Sequence, residues 1–335
     1  MSPDVSVIIP AYNAGFHIGN AIDSVLTQNY NKNIEIIVVD DGSTDNTAAV
    51  VSSLRRTYNQ ITYLTNERNK GPSGARNTGL LNASGTYIAF LDADDIWFPN
   101  HLMEGISFLE KHQGADVVLF NFNIVDYKSK RFISDWFTER SFGRTLRSQA
   151  LEDECRLIDD DMFIALINES FMHLQSMILR RKALGDVLFN EDIKRSEDRD
   201  FSIRLFLQSK ARFAYCKKVT GVYYLHEDSL TSDSILNSLH TTLDQIKVYS
   251  GYLNSLPLDA ATAAQLRELL SNRHLHVSYY YRKMARHKLA ALSLFKSCQY
   301  RIRASQVKEF AKIAISFVTS NLTMRARNKN RTSAS

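Results

Sequence analysis

The chain has 335 residues, 44% of them hydrophobic, so it can bury one large core or two, and its composition is neither disordered nor fibrous. Its three cysteines, Cys155, Cys216 and Cys298, are far apart, odd in number and without metal-ligand spacing. We therefore expect neither a disulfide framework nor a zinc site, and a location in the reducing cytoplasm. The net charge of +5 is small for this length, and its uneven distribution is more informative than its total.

The first residues, MSPDVSVIIP, place an acid before a short apolar strand and contain no basic region, so the pattern predicts no secretory signal. No window reaches the ~18 to 20 uninterrupted apolar residues of a membrane-spanning helix. We therefore expect a protein that is soluble or peripheral to a membrane.

The first 125 residues alternate short β-branched runs with helical patterns. The runs at 5–9, 34–39, 61–64, 87–91 and 117–120 predict strands of a largely buried sheet. Amphipathic patterns between them predict helices, of which Ile18–Leu26 is the clearest. This βαβα alternation predicts an α/β fold with a mainly parallel, doubly wound sheet and helices on both faces.

Polar residues follow the first two predicted strands, and ligands of such sheets bind outside the carboxyl ends of the strands. Pro10 ends the first strand, and Tyr12 follows it with a ring that can stack on a planar ligand. The second strand leads into DDGSTD, where the carboxylate of Asp41 can accept a ring N–H from a base. Ser43 and Asp45 in the same turn are explained as helix caps.

The stretch FLDADDIW, residues 90–97, ends an apolar strand at three carboxylates. In an extended segment Asp92 and Asp94 point to the same side, where they repel each other unless a divalent cation lies beside them. Carboxylate oxygens suit Mg²⁺ or Mn²⁺, and a cation with few protein ligands keeps positions open for diphosphate oxygens. The plainer alternative for this pattern is a solvated entry to a helix.

Between about residues 126 and 230 the pattern is mixed, with a helix after Asp159, a strand over Met177–Arg180, a helix over 198–208 and a strand over 221–225. Asp198 lies in SEDRD at the start of that second helix. Acids are expected there from the helix dipole alone, and the functional alternative is a general base. His226 follows the last strand, where a lone histidine is more often packed or surface-lying than a ligand.

After residue 232 the pattern becomes helical, over 236–253, 260–285, 288–300 and 307–318. We therefore predict a first domain over residues 1–230, a basic helical extension over 231–323 and a disordered tail over 324–335. From residue 261 onward the chain has 15 lysines and arginines and two acids, a net charge of +13. Residues 1–260 therefore carry a net charge of −8. Such a region attracts anionic lipid, nucleic acid or an acidic partner, and its plain alternative is a solvated basic helical face.

Several blocks, read together, resemble the family 2 glycosyltransferases, which have the GT-A fold. They are residues 5–13, residues 39–45, NKGPSGARN at 69–77, residues 87–95, Glu197 with Asp198, and His226. The resemblance covers roughly residues 4 to 230, and the first four blocks in this order are highly specific. The last third of the chain carries no motif of this family.

The resemblance implies a nucleotide-sugar donor site, uridine-linked in most of the family. Asp41 matches the acid that contacts uracil, and Tyr12 matches the position that stacks on the base. Arg76 and Asn77 match a block near the donor. The donor-binding residues implied in this way are Pro10, Ala11, Tyr12, Asp41, Arg76, Asn77, Asp92 and Ala93.

The resemblance also implies the chemistry. Asp94 matches a ligand of a divalent cation, Mn²⁺ or Mg²⁺, and His226 matches the histidine that completes the metal shell or contacts the diphosphate in several members. The sequence reads YYLHEDS here, where many members read Tyr-Arg-x-His. Asp198 matches the catalytic base that deprotonates an acceptor hydroxyl, which implies inversion at the anomeric carbon without a covalent intermediate.

The expected acceptor is a glycan or a lipid-linked glycan in cell-surface polysaccharide synthesis. The expected location is cytoplasmic, peripheral on the cytoplasmic face of the inner membrane. The charge of the last third, with aromatic residues such as Tyr279 and Phe295, favours docking on an anionic membrane. A helical dimerisation element, and hence a homo-oligomer, is the competing interpretation.

Four other functions were weighed. A catalytically inactive sugar-nucleotide-binding protein of the same fold is the main alternative, but it has no need to retain Asp94, Asp198 and His226 together. A nucleotidyltransferase is disfavoured because no glycine-rich triphosphate loop follows the first strand, and a nicotinamide dinucleotide enzyme because no GxGxxG follows a strand. Nucleic acid is not expected as a partner because the acidic first part of the chain would repel it.

Overall fold

The computed structural model describes residues 3–138, 140–152, 154–169, 171–226 and 234–332. The chain divides into two compact units, Met1–Ser229 and Leu230–Ser335. The first is an α/β unit and the second consists of helices.

The described residues of the first unit form one sheet of eleven strands. The strands are β1 (Val5–Ala11), β2 (Ile34–Asp40), β3 (Ile61–Thr65), β4 (Tyr87–Phe90), β5 (Ile96–Trp97), β6 (Val117–Asp126), β7 (Phe132–Asp135), β8 (Ser148–Glu152), β9 (Cys155–Ile158), β10 (Met177–Arg180) and β11 (Phe213–Leu225). Their order across the sheet is β3-β2-β1-β4-β10-β6-β11-β9-β8, while β5 pairs with β11 and β7 pairs with β6.

Helices cover both faces of this sheet, as the sequence predicts. They are α1 (Ile18–Leu26), α2 (Thr47–Thr57), α3 (Pro72–Asn82), α4 (His101–Lys111), α5 (Phe142–Thr145), α6 (Met162–Asn168) and α7 (Glu197–Gln208). Ile36 and Val38 of β2 belong to the same apolar cluster as Ile22 of α1, whereas Ile37 and Val39 pack with α3. Successive side chains of a strand point to opposite faces, so a strand apolar at every position is buried on both.

Close packing of α3 on the sheet depends on Gly79. A Cβ at this position would lie 2.4 Å from Cγ2 of Ile8 in β1, which is too close for two carbon atoms. The glycine therefore lets the helix approach the central strand. That approach brings the start of α3 to the carboxyl end of the sheet.

The sheet is parallel in one half and mixed in the other. Strands β3, β2, β1 and β4 are all parallel, as predicted, but β10 is antiparallel to both β4 and β6. The short strands β5, β7, β8 and β9 were not predicted from the sequence. Each has two to five residues, too few for a clear alternation pattern, and β7 and β8 are largely exposed.

One expectation about the cysteines is wrong. Cys155 and Cys216 form a disulfide, with their Cα atoms 4.1 Å apart, and Cys298 is free. The two residues are 61 positions apart in the sequence, yet they lie opposite each other on antiparallel β9 and β11. Strand pairing creates this proximity, so the spacing along the chain could not indicate it. The ground for expecting a reducing compartment is removed with it.

The second unit contains four helices within the described residues: α8 (Ile235–Ser255), α9 (Ala260–Lys283), α10 (His287–Tyr300) and α11 (Ala304–Thr332). Asp259 caps α9, because its side chain accepts from the backbone N–H groups of Ala261 and Thr262. Helix α11 continues to Thr332 and includes residues 324–332, for which the sequence predicted disorder. Met, Arg, Ala and Lys in this segment are good helix formers. Residues 333–335 lie outside the described residues.

Candidate active site

The loops that follow β1 and β2 are joined by hydrogen bonds. The backbone N–H of Asp41 donates to the carbonyl of Ala11 at 2.8 Å, and the N–H of Thr44 donates to Oδ1 of Asn13 at 2.8 Å. Pro10 and Ala11 pair in register with Val39 and Asp40. The residues Pro10, Ala11 and Tyr12 therefore lie beside Asp41, because the two strands are parallel neighbours that end together.

Both carboxylate oxygens of Asp41 accept hydrogen bonds. Oδ1 accepts from Nδ2 of Asn66 at 2.6 Å, and Oδ2 accepts from the backbone N–H of Gly71 at 2.8 Å. Gly71 has φ of +131°, a conformation that favours glycine. Tyr12 is 53% exposed, and Nζ of Lys70 lies 4.5 Å from its ring centroid. Sequence reasoning missed Asn66 and Lys70, although Lys70 lies in the NKGPSGARN block.

Arg76 joins the acids of two distant segments. It lies in α3 and is 5% exposed; its Nη2 is 2.8 Å from Oδ1 of Asp92 and its Nη1 is 2.9 Å from Oε1 of Glu197. Burial opposes the charge of the guanidinium, but the two carboxylates outweigh burial and raise the pKa of Arg76. The arginine therefore neutralises part of the acidic cluster and holds the start of α7 beside the end of β4.

Asn77 anchors the segment that leads to α7. Its Nδ2 donates to the carbonyl of Phe189 at 2.9 Å and to Oε1 of Glu191 at 2.7 Å, while its Oδ1 accepts from the N–H of Phe189 at 2.7 Å. The side chain is buried and its polar atoms have partners within the protein. The structure thus gives Asn77 a positioning contact, while its contact with a donor stays a prediction.

Asp94 and His226 face each other, although 132 positions separate them in the sequence. Oδ2 of Asp94 lies 3.5 Å from Nε2 of His226, whose ring stacks on Tyr127 with centroids 4.3 Å apart and meets His17 edge-on at 5.0 Å. Burial, followed by repulsion from Asp92, raises the pKa of Asp94 to about 6. Burial lowers the pKa of His226, and the positive charge of Lys130 lowers it further, so the ring is neutral at pH 7.

This pair fits one side of a cation site. Nε2 of His226 is buried and makes no hydrogen bond within the described residues, and the nearest carboxylate oxygen of Asp94 lies 3.5 Å from it. A carboxylate oxygen with a neutral imidazole nitrogen suits Mn²⁺ or Mg²⁺. The described part of the chain contains no group of three His, Cys, Asp or Glu residues able to hold a metal. A cation here needs further ligands from a bound phosphate or from water.

The third acid of FLDADDIW has a different place. Asp95 is 1% exposed, and its Oδ1 accepts from the backbone N–H of Tyr224 in β11 at 2.7 Å. Burial, followed by repulsion from Asp94 and Asp92, raises the pKa of Asp95 well above its usual value. This residue ties the loop after β4 to the strand that leads to His226. Ala93, between the half-buried Asp92 and Asp94, is buried.

Asp198 lies in the first turn of α7, where its Oδ1 accepts from the N–H of Arg199 at 2.7 Å. Asp198 and Asp92 both act electrostatically on His173, whose pKa burial lowers to about 4. The ring of His173 packs edge-on against Trp136, with centroids 4.5 Å apart, and its Nδ1 has no hydrogen-bond partner among the described residues. Nothing in the sequence pattern indicated His173, because only the fold brings it between these acids.

Residues 6–187 match the family model described as glycosyl transferase family 2. The chain belongs to this family. Because the match covers more than half of the chain and includes the first two strand-end loops, α3 and the acids after β4, it confirms the resemblance that those motifs carry.

Curated bacterial relatives of this family 2 member are named glycosyltransferases. An uncharacterized glycosyltransferase of Rickettsia prowazekii is 31% identical over 76% of this chain and 73% of its own. A UDP-Glc:alpha-D-GlcNAc-diphosphoundecaprenol beta-1,3-glucosyltransferase of Escherichia coli is 46% identical over 37% of this chain and 48% of its own. A GalNAc(5)-diNAcBac-PP-undecaprenol beta-1,3-glucosyltransferase of Campylobacter jejuni is 25% identical over 90% of each.

Solved structures give the fold of this glycosyltransferase. Residues 1–349 of Staphylococcus aureus TarS, in complex with UDP-GlcNAc, are 20% identical with a TM-score of 0.56, covering 95% of this chain and 92% of that one. A mannosyltransferase of Pyrobaculum calidifontis, in complex with GDP-Man and Mn²⁺, is 18% identical with a TM-score of 0.56, covering 94% and 81%. Both similarities support the GT-A fold with additional C-terminal helices.

Proposed function

We propose that this glycosyltransferase moves a sugar from a UDP-linked donor to a hydroxyl group of a lipid-linked glycan, with inversion at the anomeric carbon. The observation that carries the proposal is the meeting of three segments around one buried arginine. Arg76 joins Asp92 at the end of β4 to Glu197 at the start of α7, and Glu197 is followed directly by Asp198, the proposed general base.

The donor lies over the loops that follow β1 and β2. Tyr12 offers an exposed ring for the uracil, and Asp41 is held beside it by Asn66 and Gly71. Because these hydrogen bonds fix the carboxylate in one orientation, an N–H of the base meets a preorganised acceptor. Asp92 and the backbone of Ala93 then contact the ribose and the diphosphate.

Asp94 and His226 would hold the divalent cation. When bound, the cation stabilises the negative charge that develops on the leaving diphosphate. Arg76 pairs with Asp92 and orients it, which leaves Asp94 available to a metal. The neutral ring of His226 presents a lone pair, and stacking on Tyr127 fixes its orientation.

Asp198 takes the proton of the acceptor hydroxyl, and the resulting oxygen nucleophile attacks the anomeric carbon from the face opposite the diphosphate. One bond, from the oxygen to the anomeric carbon, forms while the bond from that carbon to the phosphate oxygen breaks, so configuration inverts. The lipid-linked acceptor is supported by the named activities of the relatives in E. coli and C. jejuni. A cytoplasmic location stays a prediction from the sequence.

The test is release of nucleoside diphosphate from a panel of sugar nucleotides, with an undecaprenyl-diphosphate-linked glycan as acceptor and with Mn²⁺, Mg²⁺ or a chelator. We expect one UDP-sugar to be used in the presence of metal. Asp198→Asn should lower kcat about 10³-fold with donor affinity kept, because it removes the base. Asp94→Ala should lower both metal dependence and activity.

Asp23→Asn is the matched control, because Asp23 is an exposed aspartate of α1 away from the site. It should leave activity unchanged. If the wild-type protein binds a UDP-sugar but transfers no sugar to any acceptor, the result favours the alternative of an inactive sugar-nucleotide-binding protein. Full activity of Asp198→Asn would remove Asp198 from its role.

A further inference from the structure

Helix α11 carries an apolar face that no described residue covers. Val307, Phe310 and Phe317 are 67%, 65% and 51% exposed, and their spacing of three and seven residues places them on one side of the helix. Gln306, Glu309 and Ile313, on the adjoining side of the helix, are buried. The helix packs on its own unit through that side, so the exposed apolar side chains take no part in this packing.

Lysines border this face. Ile315, which is 64% exposed, extends the apolar face around the helix, and the exposed Lys308 and Lys312 lie next to Ile315 on the helix surface. The neighbouring helix α10 also exposes apolar residues beside a lysine. Leu292 and Phe295 are 52% and 61% exposed, and the exposed Lys296 lies one turn after Leu292. Lys296 and Lys308 have no ion pair within the described residues. We call the exposed residues of 288–296 in α10 and 307–317 in α11 the basic-apolar surface.

The acids of this region are already used. Glu268 and Glu309 are the two acidic residues after position 260. Glu268 pairs with Arg301 and Arg303, while Glu309 pairs with Arg282 at 2.6 Å and more loosely with Lys312 at 3.8 Å. The excess positive charge around the basic-apolar surface is therefore not balanced from within, and a partner that covers this surface must supply negative charge.

We infer that the basic-apolar surface docks on an anionic lipid bilayer, with Val307, Phe310 and Phe317 entering the acyl boundary and the lysines lying at the headgroups. Apolar side chains bordered by lysines are the pattern of a helix that lies in the plane of a membrane interface. Among the described residues, none of the helices is long and apolar enough to cross a bilayer, so attachment through this surface lies on one leaflet.

Charge argues against the other occupants. A second copy of the chain that docked through the same surface would bring lysines against lysines, because the nearby acids are paired already. Nucleic acid would neutralise the lysines but would leave the phenylalanines in water. A bilayer with anionic headgroups satisfies both the charge and the apolar surface.

The test is flotation of the full-length protein with vesicles of phosphatidylcholine alone or mixed with phosphatidylglycerol, at low and high salt. We expect binding to the mixed vesicles that weakens with salt. The double variant Lys308→Gln, Lys312→Gln should weaken it about 30-fold. The variant Val307→Ser, Phe310→Ser should weaken it about tenfold or more. All four side chains are exposed, and circular dichroism checks that both variants fold.

The matched controls lie in the first unit. Phe132→Ser changes an exposed aromatic residue of β7, and Lys182→Gln with Lys210→Gln removes two exposed lysines. Unchanged binding in these controls supports the basic-apolar surface. No binding of the wild type to anionic vesicles overturns the inference, as does equal binding by the surface variants. A dimer that Phe310→Ser dissociates would identify a second copy as the occupant and overturn it as well.

This readout is independent of the reaction. Donor hydrolysis or transfer to a water-soluble acceptor should be the same in the surface variants and in the wild type. Loss of vesicle binding with transfer intact therefore concerns the membrane surface alone. Loss of transfer in Asp198→Asn with vesicle binding intact concerns the proposed reaction alone.

Discussion

The two units of this glycosyltransferase treat charge in opposite ways. In the first unit, Arg76 is buried between Asp92 and Glu197, and its charge is satisfied by residues from two other segments. In the second unit, buried contacts join neutral groups, such as Gln306 with Ser271 and Ser297, beside one buried ion pair between Arg282 and Glu309. Four lysines of α10 and α11 face outward, namely Lys288, Lys296, Lys308 and Lys312. The first unit uses charge to assemble a site, whereas the second leaves charge for an external anion.

This comparison has an energetic consequence. Removing one member of a buried ion pair leaves the charge of its partner uncompensated in a region of low polarity, whereas removing an exposed charge changes the free energy of unfolding little. Substitution of the buried Arg76 should therefore destabilise the first unit strongly, whereas substitution of the exposed charges of the second unit should destabilise that unit weakly. Both tryptophans, Trp97 and Trp136, lie in the first unit, so tryptophan fluorescence reports the unfolding of that unit separately.

The largest expected effect comes from Arg76→Met. It removes the cation between Asp92 and Glu197 and should lower the free energy of unfolding by about 3 to 5 kcal/mol. Transfer activity should also be lost, because the start of α7 is released from the end of β4. Urea unfolding followed by tryptophan fluorescence measures the first effect. Arg147→Met is the control, since Arg147 is exposed and its contact with Asp160 at 3.5 Å should contribute less than about 1 kcal/mol. Equal destabilisation by both substitutions would contradict the buried-charge account.

The second effect is the pH dependence caused by His101. This histidine is fully buried, its Nδ1 lies 2.8 Å from Oγ1 of Thr220, and burial lowers its pKa to about 3. In the unfolded chain the ring takes up a proton near pH 6.5, but in the folded protein only near pH 3. The folded state is therefore destabilised as the pH falls below 6.5, by about 2 kcal/mol between pH 7 and pH 5.

His101→Asn keeps a polar group near Thr220 but cannot be protonated in this range. The variant should be less stable at pH 7, because it leaves a cavity, yet its stability should fall less steeply with acid. Urea unfolding at several pH values measures both. His240→Asn is the control, since His240 is an exposed histidine of α8. Parallel pH curves for the wild type and His101→Asn would exclude His101 as the source of the slope.

The third effect concerns the neutral contacts of the second unit. Gln306 is 3% exposed, and its Nε2 donates to Oγ of Ser297 at 2.7 Å and to the carbonyl of Arg301 at 2.6 Å. Gln306→Ala should lower the free energy of unfolding by about 1 to 2 kcal/mol. Thermal unfolding followed by far-ultraviolet circular dichroism measures the change. Gln299→Ala, at an exposed position of α10, should be neutral.

The smallest effect should come from Glu268→Gln. This substitution breaks contacts with Arg301 and Arg303, but the carboxylate is 41% exposed. We expect a loss of less than about 1 kcal/mol, which should disappear in high salt because screening already weakens exposed pairs. A loss as large as that of Arg76→Met would mean that the two units do not differ in the way described.

The sequence predicted the elements of both units well. The first helix and the strand Met177–Arg180 are found with the predicted bounds, and α7, α8, α9 and α10 begin and end within a few residues of prediction. No bounds were predicted for α3 and α4, and β11 begins well before the predicted strand over 221–225. Hydrophobic periodicity is a local property, so it is readable without tertiary contacts. The short strands β5, β7, β8 and β9 were not predicted because each has only two to five residues and carries little pattern of its own.

The candidate site was predictable in outline only. Polar residues at the ends of adjacent parallel strands must meet, so the proximity of Tyr12, Asp41 and the acids after β4 follows from the order of elements. Asn77 shows the limit of such reasoning. It was predicted beside a donor, but its side chain is buried against Phe189, and the sequence offered no way to distinguish a ligand contact from an internal one.

The sequence by itself determined where helices and strands form, which strand ends carry acids, and that positive charge collects in the last third of the chain. Tertiary structure alone decided which charges are paired. Arg76 meets Glu197 across 121 positions, and Cys155 meets Cys216 across 61. It also decided which side of α11 is covered and which is left exposed. The reason is physical: periodicity and composition act along the chain, whereas pairing, burial and pKa depend on neighbours that only folding brings together.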